Sequence, residues 1–220
     1  MISIILWIRS FPCEAQIASW DDREHPKSTM RYPPEHKAKV HEQIVKDASR
    51  RVRAEGLNGA AVGAVMRDTG LTHGGFYKHF ENKDELLLES LSEAFRDVGD
   101  VLVEAAGKGP RRDAWKAIVR TYLSLEFCDH PERGCPLPAL APELARVDQK
   151  MRKRILPLLV SYRDRMLPWM PGRRTADQER AFFAIFSTMA GAIEIARLLP
   201  EAKMREKVLA SARDFLLASF

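Results

Sequence analysis

The chain has 220 residues, 45% of them hydrophobic and 30% charged, enough apolar material for a sizeable core and enough charge for a water-facing surface. No apolar run approaches the roughly 20 residues that a membrane-spanning helix needs. The three cysteines, Cys13, Cys128 and Cys135, are odd in number and lack framework spacing, which excludes a disulfide scaffold and fits a reducing, cytoplasmic setting, while a net charge of +5 is compatible with a nucleic-acid partner without establishing one.

Residues 1–29 differ in composition from the rest of the chain. MISIILWIRS has no positively charged segment before its apolar run and no small-residue cleavage pattern after it. From Ser10 to Thr29 the chain is polar and unpatterned. The break at Met30 reads as the native start, with 1–29 a disordered or non-native extension; an arm that touches DNA and a weak membrane-surface anchor are the alternatives. From Arg31 to Arg53 seven Lys or Arg face three acids, a basic excess just ahead of the next segment. Pro33 and Pro34 suit a helix start. Ile44, Val45, Ala48 and Val52 then keep a helical period to Glu55, and Gly56 fits the left-handed position after the last turn. Lys37, Lys39 and Lys46 serve either phosphates or a solvated face, and the residues leave both open.

Ala60 to Lys83 reads as two short helices around a tight turn. Val62, Val65 and Met66 give the first an apolar face. Gly70 supplies the positive φ of a sharp turn. Thr72 is a suitable N-cap for a second helix, from His73 to about Phe80. Gly74 and Gly75 in its first turn each cost up to ~1 kcal/mol relative to alanine. A structural helix seldom carries that penalty. A helix that must approach another surface has a use for it, and its outward residues, Thr72, His73, Tyr77, Lys78 and His79, are donors for phosphates and base edges. The plainer alternative is a helical hairpin with a loose second helix.

The stretch GLTHGGFYKHFENKDELL resembles the recognition-helix signature of the TetR family of transcriptional regulators, through Gly70, Leu71, Thr72, Phe76, Tyr77, His79, Phe80, Lys83, Asp84, Glu85 and Leu86. The resemblance takes in the preceding short helix; beyond it only the helix layout is alike. Met66 and Thr69 stand where the family commonly has alanine, on the buried side, and bear on packing. The resemblance implies an all-α fold. Residues 30–82 would form a three-helix helix-turn-helix DNA-binding domain and 83–220 a helical effector-binding and dimerisation domain. It implies double-stranded operator DNA as a partner, held by Thr72, His73, Gly74, Gly75, Tyr77, Lys78, His79 and Lys83, with Lys83 on a phosphate.

Asn82 and Glu85 read as a capping box that opens a long helix to about Ala106, with Leu87, Leu91, Ala94, Phe95, Val98 and Leu102 inward. Gly107 to Pro110 is a linker. A helix is expected from about Arg112 to Phe127, then a Pro-rich interruption and a short helix from Pro142 to Val147. Gln149 to Leu167 is the next, with Met151, Ile155, Leu158, Leu159 and Tyr162 inward and Pro157 as a kink or break. Ala176 to Leu199 is apolar around most of its circumference and needs cover on two sides. With Lys203 to Ser219 it matches the dimer-forming pair of the resembling family, and Ala190-Gly191-Ala192 permits close helix approach, so a homodimer is expected. The alternative is a monomer that buries both sides internally.

No catalytic constellation, phosphate loop or dinucleotide fingerprint is present, and no enzyme activity, cofactor or metal is expected. Cys128, His130 and Cys135 lack an evident fourth ligand; a thiol sensor on Cys128 and Cys135 is the alternative to two small apolar residues near a turn. Trp115, Tyr122, Phe127, Tyr162, Phe183 and Phe186 are core aromatics by spacing. The resemblance makes them candidates to line a pocket for a small apolar or aromatic effector, with Trp115 and Tyr122 as polar handles. The expected function is a dimeric repressor released by that effector, without membrane contact. The alternatives are a redox-sensing regulator and a small-molecule-binding helical protein without operator function.

Overall fold

A computed structural model of the chain describes residues 34–220, apart from Thr69, Leu71 and the side chains of Pro34, Asp68 and His73. The expectations for residues 1–29, Met30, Pro33 and Thr69 lie outside the described residues. The described residues contain helices and turns and no strand.

Helix α1 (Pro34–Glu55) buries Ile44, Val45, Ala48 and Val52, the face that the periodicity picks out. It stops at Gly56, whose φ of 76° is relaxed only for glycine. A 3₁₀ turn (Leu57–Ala60) leads into α2 (Val62–Asp68), where Val65 and Met66 are buried. Gly70, φ 68°, makes the turn to α3.

Helix α3 is shorter than the sequence implies. It spans only His73–Phe76 and then tightens: the Lys78 N–H donates to the Gly75 carbonyl at 3.1 Å and the His79 N–H to the Phe76 carbonyl at 2.9 Å. Two glycines in four residues leave little side-chain support for a regular helix, so the segment tightens into the i→i+3 pattern. Thr72 has the extended backbone of a cap, but its hydroxyl makes no capping bond; the Thr72 carbonyl accepts from Gly75 N–H at 2.8 Å.

Helix α4 (Lys83–Gly107) begins as expected, with Asn82 Oδ1 accepting from the Glu85 N–H at 3.0 Å. The Glu85 carboxylate reaches back to the N–H of Glu81, at 2.7 Å, one residue earlier than a capping box requires. This helix links three apolar clusters. Leu86 joins the cluster of α1, α2 and α3. Leu87 and Leu91 join a second, with Val52, Ala60, Leu140, Leu144, Met151 and Ile155. Phe95, Val98, Leu102 and Ala106 join the main core.

The expected helix to Phe127 is broken. Helix α5 (Ala114–Tyr122) ends at Leu123, and α6 (Leu125–Asp129) starts afresh. Ser124 makes the break: its hydroxyl donates to the Thr121 carbonyl at 2.9 Å and accepts from the Phe127 N–H at 3.2 Å. The Pro-rich stretch is also helical, as α7 (Pro136–Leu144), and the expected Pro142–Val147 helix is displaced toward the N-terminus. Pro136 and Pro138 sit in its first turn, where a missing N–H breaks no helical bond. Helix α8 (Gln149–Met166) runs unbroken through Pro157, because that residue lies on the exposed face, where water can take the carbonyl it strands. Helices α9 (Thr175–Arg197) and α10 (Ala202–Ser219) pack together. Among the described residues no helix is long and apolar enough to cross a membrane.

Candidate nucleic-acid interface

The α3 segment is two-faced. Phe76 and Phe80, one turn apart, are buried and stack with ring centroids 5.3 Å apart among Ile44, Val45, Ala48, Val65, Met66 and Leu86. They clamp the segment to α1 and α2. Thr72, Gly74, Tyr77, Lys78 and Lys83 are exposed, Tyr77 by 66%, and Gly75 is half-buried. A Cβ built on Gly74 would meet open space, so the chain's own packing does not require that glycine. The side chain of His73 lies outside the described residues; its backbone opens α3.

His79 differs from the other candidates. It is half-buried, its Nδ1 has no hydrogen-bond partner, and its ring lies 6.0 Å from that of His41 in α1. Burial lowers its pKa, helped by the nearby charges of His41, Lys37 and Lys78. His41 stacks on Phe80 at 4.6 Å and meets Glu89 of α4 at 2.6 Å, so it ties α1, the α3 segment and α4 together. These packing roles come from tertiary contact; the sequence marks His41 only as one histidine among six.

The candidate effector residues divide. Tyr162, Phe183 and Phe186 line a mostly apolar cleft of about 420 Å³ between α7, α8 and α9, with Leu137, Ala141, Leu156, Leu159, Val160, Phe182 and Ala190 and three polar residues, Arg163, Ser187 and Glu194. Phe183 is 54% exposed on it. Tyr122 and Phe127 do not line the cleft; their rings meet at a tilt, 4.7 Å apart, inside the main core. Trp115 lies apart, buried edge-on against Phe220 at 6.1 Å, and does not line the cleft either. Leu156 and Val160 were missed by sequence reasoning. They form a second apolar strip on α8, one turn apart, outside the stripe that faces the core; that spacing is the signal that could have revealed them.

Cys128 and Cys135 are both free and buried. Burial pushes both thiols up, against the smaller opposing effects of Arg197 on Cys128 and of the Tyr122 hydroxyl on Cys135. Reactive thiols need the reverse shift. His130 faces Glu132 at 3.3 Å and Glu126 at 3.8 Å. Among the described residues no three His, Cys, Asp or Glu side chains are grouped to hold a metal ion.

Residues 44–90 match the model of a family described as bacterial regulatory proteins, tetR family. No curated protein matches the chain. Among solved structures, a TetR transcriptional regulator from Chloroflexus aurantiacus J-10-FL is 22% identical, with 83% of this chain and 96% of that one aligned and a TM-score of 0.67. A TetR-family regulator from Cytophaga hutchinsonii is 21% identical over 83% of this chain and 96% of that one, at 0.66. FadR from Bacillus subtilis, in complex with stearoyl-CoA, is 16% identical over 82% of this chain and 99% of that one, at 0.60. At these identities the structural likeness shows the fold.

Proposed function

We propose that this chain, which belongs to the tetR family of bacterial regulatory proteins, is a cytoplasmic, dimeric repressor that leaves double-stranded operator DNA when a small apolar or aromatic molecule binds its helical core. The DNA-binding part would be residues 30–82 and the effector-binding and dimerising part 83–220. The observation that carries the DNA reading is the two-faced α3 segment: Phe76 and Phe80 lock one side, while Thr72, Tyr77, Lys78 and Lys83 stand out to solvent around a glycine with nothing against it. Exposed donors on a clamped scaffold suit phosphate contact, and a bare backbone suits close approach to a groove.

Dimerisation is supported by the outer faces of α9 and α10. Phe183 and Ile195 on α9, Leu198 at its C-terminal end, and Met204 and Phe215 on α10, are large apolar side chains left in water in the single chain. Gly191, between them, would meet nothing if it carried a Cβ. An apolar stripe of this kind is best covered by a second copy of itself. Two copies of α3 must then sit one DNA turn, ~34 Å, or a multiple apart to use both half-sites.

An effector is supported by the apolar cleft beside Tyr162 and Phe186. FadR from Bacillus subtilis, which shares this fold, holds the long-chain ligand stearoyl-CoA. The thiol-sensing alternative has the weaker support, because burial keeps Cys128 and Cys135 protonated. The test is a binding assay of the full chain on DNA flanking its own gene, with Lys83→Ala and Tyr77→Phe alongside. Sequence-specific retardation that both variants weaken supports the reading. Absence of specific binding to any flanking segment sinks it.

A further inference from the structure

Two tyrosine hydroxyls lie in the main core without a hydrogen-bond partner. Tyr122 of α5 is fully buried and Tyr162 of α8 is 4% exposed, and neither OH is paired among the described residues. A buried, unpaired hydroxyl is destabilising, and phenylalanine would fill the same ring space without that cost. Both hydroxyls bear on one group, the thiol of Cys135, which caps α7 and is itself buried. A thiol sulfur is only a weak acceptor, so its contact with the two phenols leaves both hydroxyls poorly satisfied. Burial holds both phenols well above the ordinary tyrosine range, so both remain O–H donors.

The two rings share a neighbour that leads outward. Phe186 stands edge-on to both, 6.1 Å from Tyr122 and 5.7 Å from Tyr162. Phe186 and Tyr162 also line the cleft between α7, α8 and α9, as does Leu137, two residues beyond Cys135. The polar nucleus thus adjoins the floor of an apolar cleft. Arg197, the cation that bears on Tyr122 and Cys135, is engaged by the carbonyls of Cys128 at 2.9 Å and Phe127 at 3.4 Å. Arg163, which lines the cleft, is already paired with Glu179 at 3.1 Å and Asp164 at 2.7 Å, so what the nucleus offers is a pair of neutral donors.

We propose that Tyr122 and Tyr162 form a hydrogen-bonding subsite beside Cys135 that takes one uncharged carbonyl oxygen of an otherwise apolar effector, whose body lies in the cleft. This deepens, and rests on, the effector reading above. The matched donors favour a ketone, aldehyde, ester or amide oxygen, since a carboxylate would be desolvated without a free cation to meet it. Unpaired donors are then stability given up for recognition, as binding sites commonly show.

The test uses the full chain and two pairs of probes of nearly equal shape: 1-acetylnaphthalene with 1-ethylnaphthalene, and 2-nonanone with nonane. 1-Naphthoate is the charged arm. Binding is measured by ligand-observed NMR and calorimetry on the wild type, Tyr122→Phe, Tyr162→Phe and the double variant. The ketones are expected to bind the wild type about tenfold more tightly than their hydrocarbons. Each single variant should narrow that ratio and the double variant should erase it, with ligand-free Tm unchanged or raised in all three. Equal binding of ketone and hydrocarbon, or a ratio that survives in the double variant, overturns the subsite and leaves the effector reading standing. Tighter binding of naphthoate overturns the neutral-carbonyl class. A lower ligand-free Tm in the phenylalanine variants means the hydroxyls have structural partners, and also overturns it. Failure of the wild type to bind any probe overturns the subsite for this ligand class; the effector reading itself is decided separately, by release of bound DNA.

Discussion

Arg53 and Gly134 are 81 residues apart in sequence, and the buried Arg53 guanidinium donates to the Gly134 carbonyl at 3.3 Å. The same guanidinium meets Asp97 of α4 at 3.0 Å and the carbonyl and hydroxyl of Ser49 at 3.1 and 3.2 Å. Gly134 directly precedes Cys135, the cap of α7. At the other end of α7, Glu143 accepts from the Leu57 N–H at 3.0 Å. Helix α7, one wall of the cleft, is therefore fastened at both ends to the segment that supports α3. A ligand that displaced α7 would act through these two bonds on α1 and on the 3₁₀ turn that follows it.

Replacing Arg53 by methionine keeps an apolar stem and removes the donors. Stability is expected to fall by about 1–3 kcal/mol, because Gly134 and Ser49 lose buried partners. Asp97 is 44% exposed, so water repairs its side of the pair. Urea unfolding reads the change, and an unaltered midpoint would show that the bond to Gly134 contributes nothing.

Gly56→Ala is a backbone test at the same junction. At φ 76° an L-residue is strained by about 1–2 kcal/mol, and the new Cβ would fall 2.3 Å from Glu143 Oε1. Glu143 is flexible and can swing aside, at the loss of its bond to Leu57. The variant should be less stable than wild type; equal stability, measured by thermal unfolding, would argue that the strain is relieved elsewhere.

The DNA contacts should separate by type. Lys83→Ala and Tyr77→Phe are expected to weaken binding to every sequence, and Lys83→Ala to lower the salt slope by about one unit. His73→Ala should instead relax base preference at one position of each half-site, by ~1–3 kcal/mol. A uniform loss from His73→Ala with specificity intact would falsify its base-reading role. With two glycines in α3, few side chains remain to read bases, so part of the specificity is expected to come from DNA shape.

His79 sets a pH dependence of known sign. Its folded pKa is lowered, first by burial and then by neighbouring charges. The unfolded chain therefore binds the proton more readily. The stability that neutral His79 provides is complete above the unfolded histidine pKa of about 6.5 and is lost as pH falls below it, through the folded pKa. His79→Gln should flatten the fall in urea midpoint between about pH 7.5 and 5.5. A slope identical to wild type would assign the effect to other groups.

Gly191→Leu probes the outer face of α9. Nothing in the single chain lies within 4 Å of a Cβ at this position, so the fold is expected to tolerate the change. A close helix contact between two copies would not, and the dimer is expected to weaken by about 1–3 kcal/mol. Sedimentation equilibrium measures it, and an unchanged dimer would place the contact elsewhere.

Much of this protein is local, and what is local was legible. Gly56 and Gly70 lie where the chain needs positive φ, and Asn82 caps α4. The inward stripe from Leu87 to Leu102 is buried as its spacing requires. These features depend on residues within a turn of one another, where the backbone's own geometry decides the outcome. The α3 signature is legible as a local motif, but what holds it is tertiary, since Phe76 and Phe80 pack among residues of α1, α2 and α4. Features that depend on distant partners left no such trace. The passage of α8 through Pro157 turns on which face of the helix meets water. Trp115 and Tyr122 look alike as buried aromatics at helical spacing. Only packing puts Trp115 against Phe220 and leaves the Tyr122 hydroxyl beside Cys135 with no partner. Periodicity reports which side of a helix is apolar. It does not report what stands opposite, and the satisfaction of a buried hydroxyl or guanidinium is decided by what stands opposite.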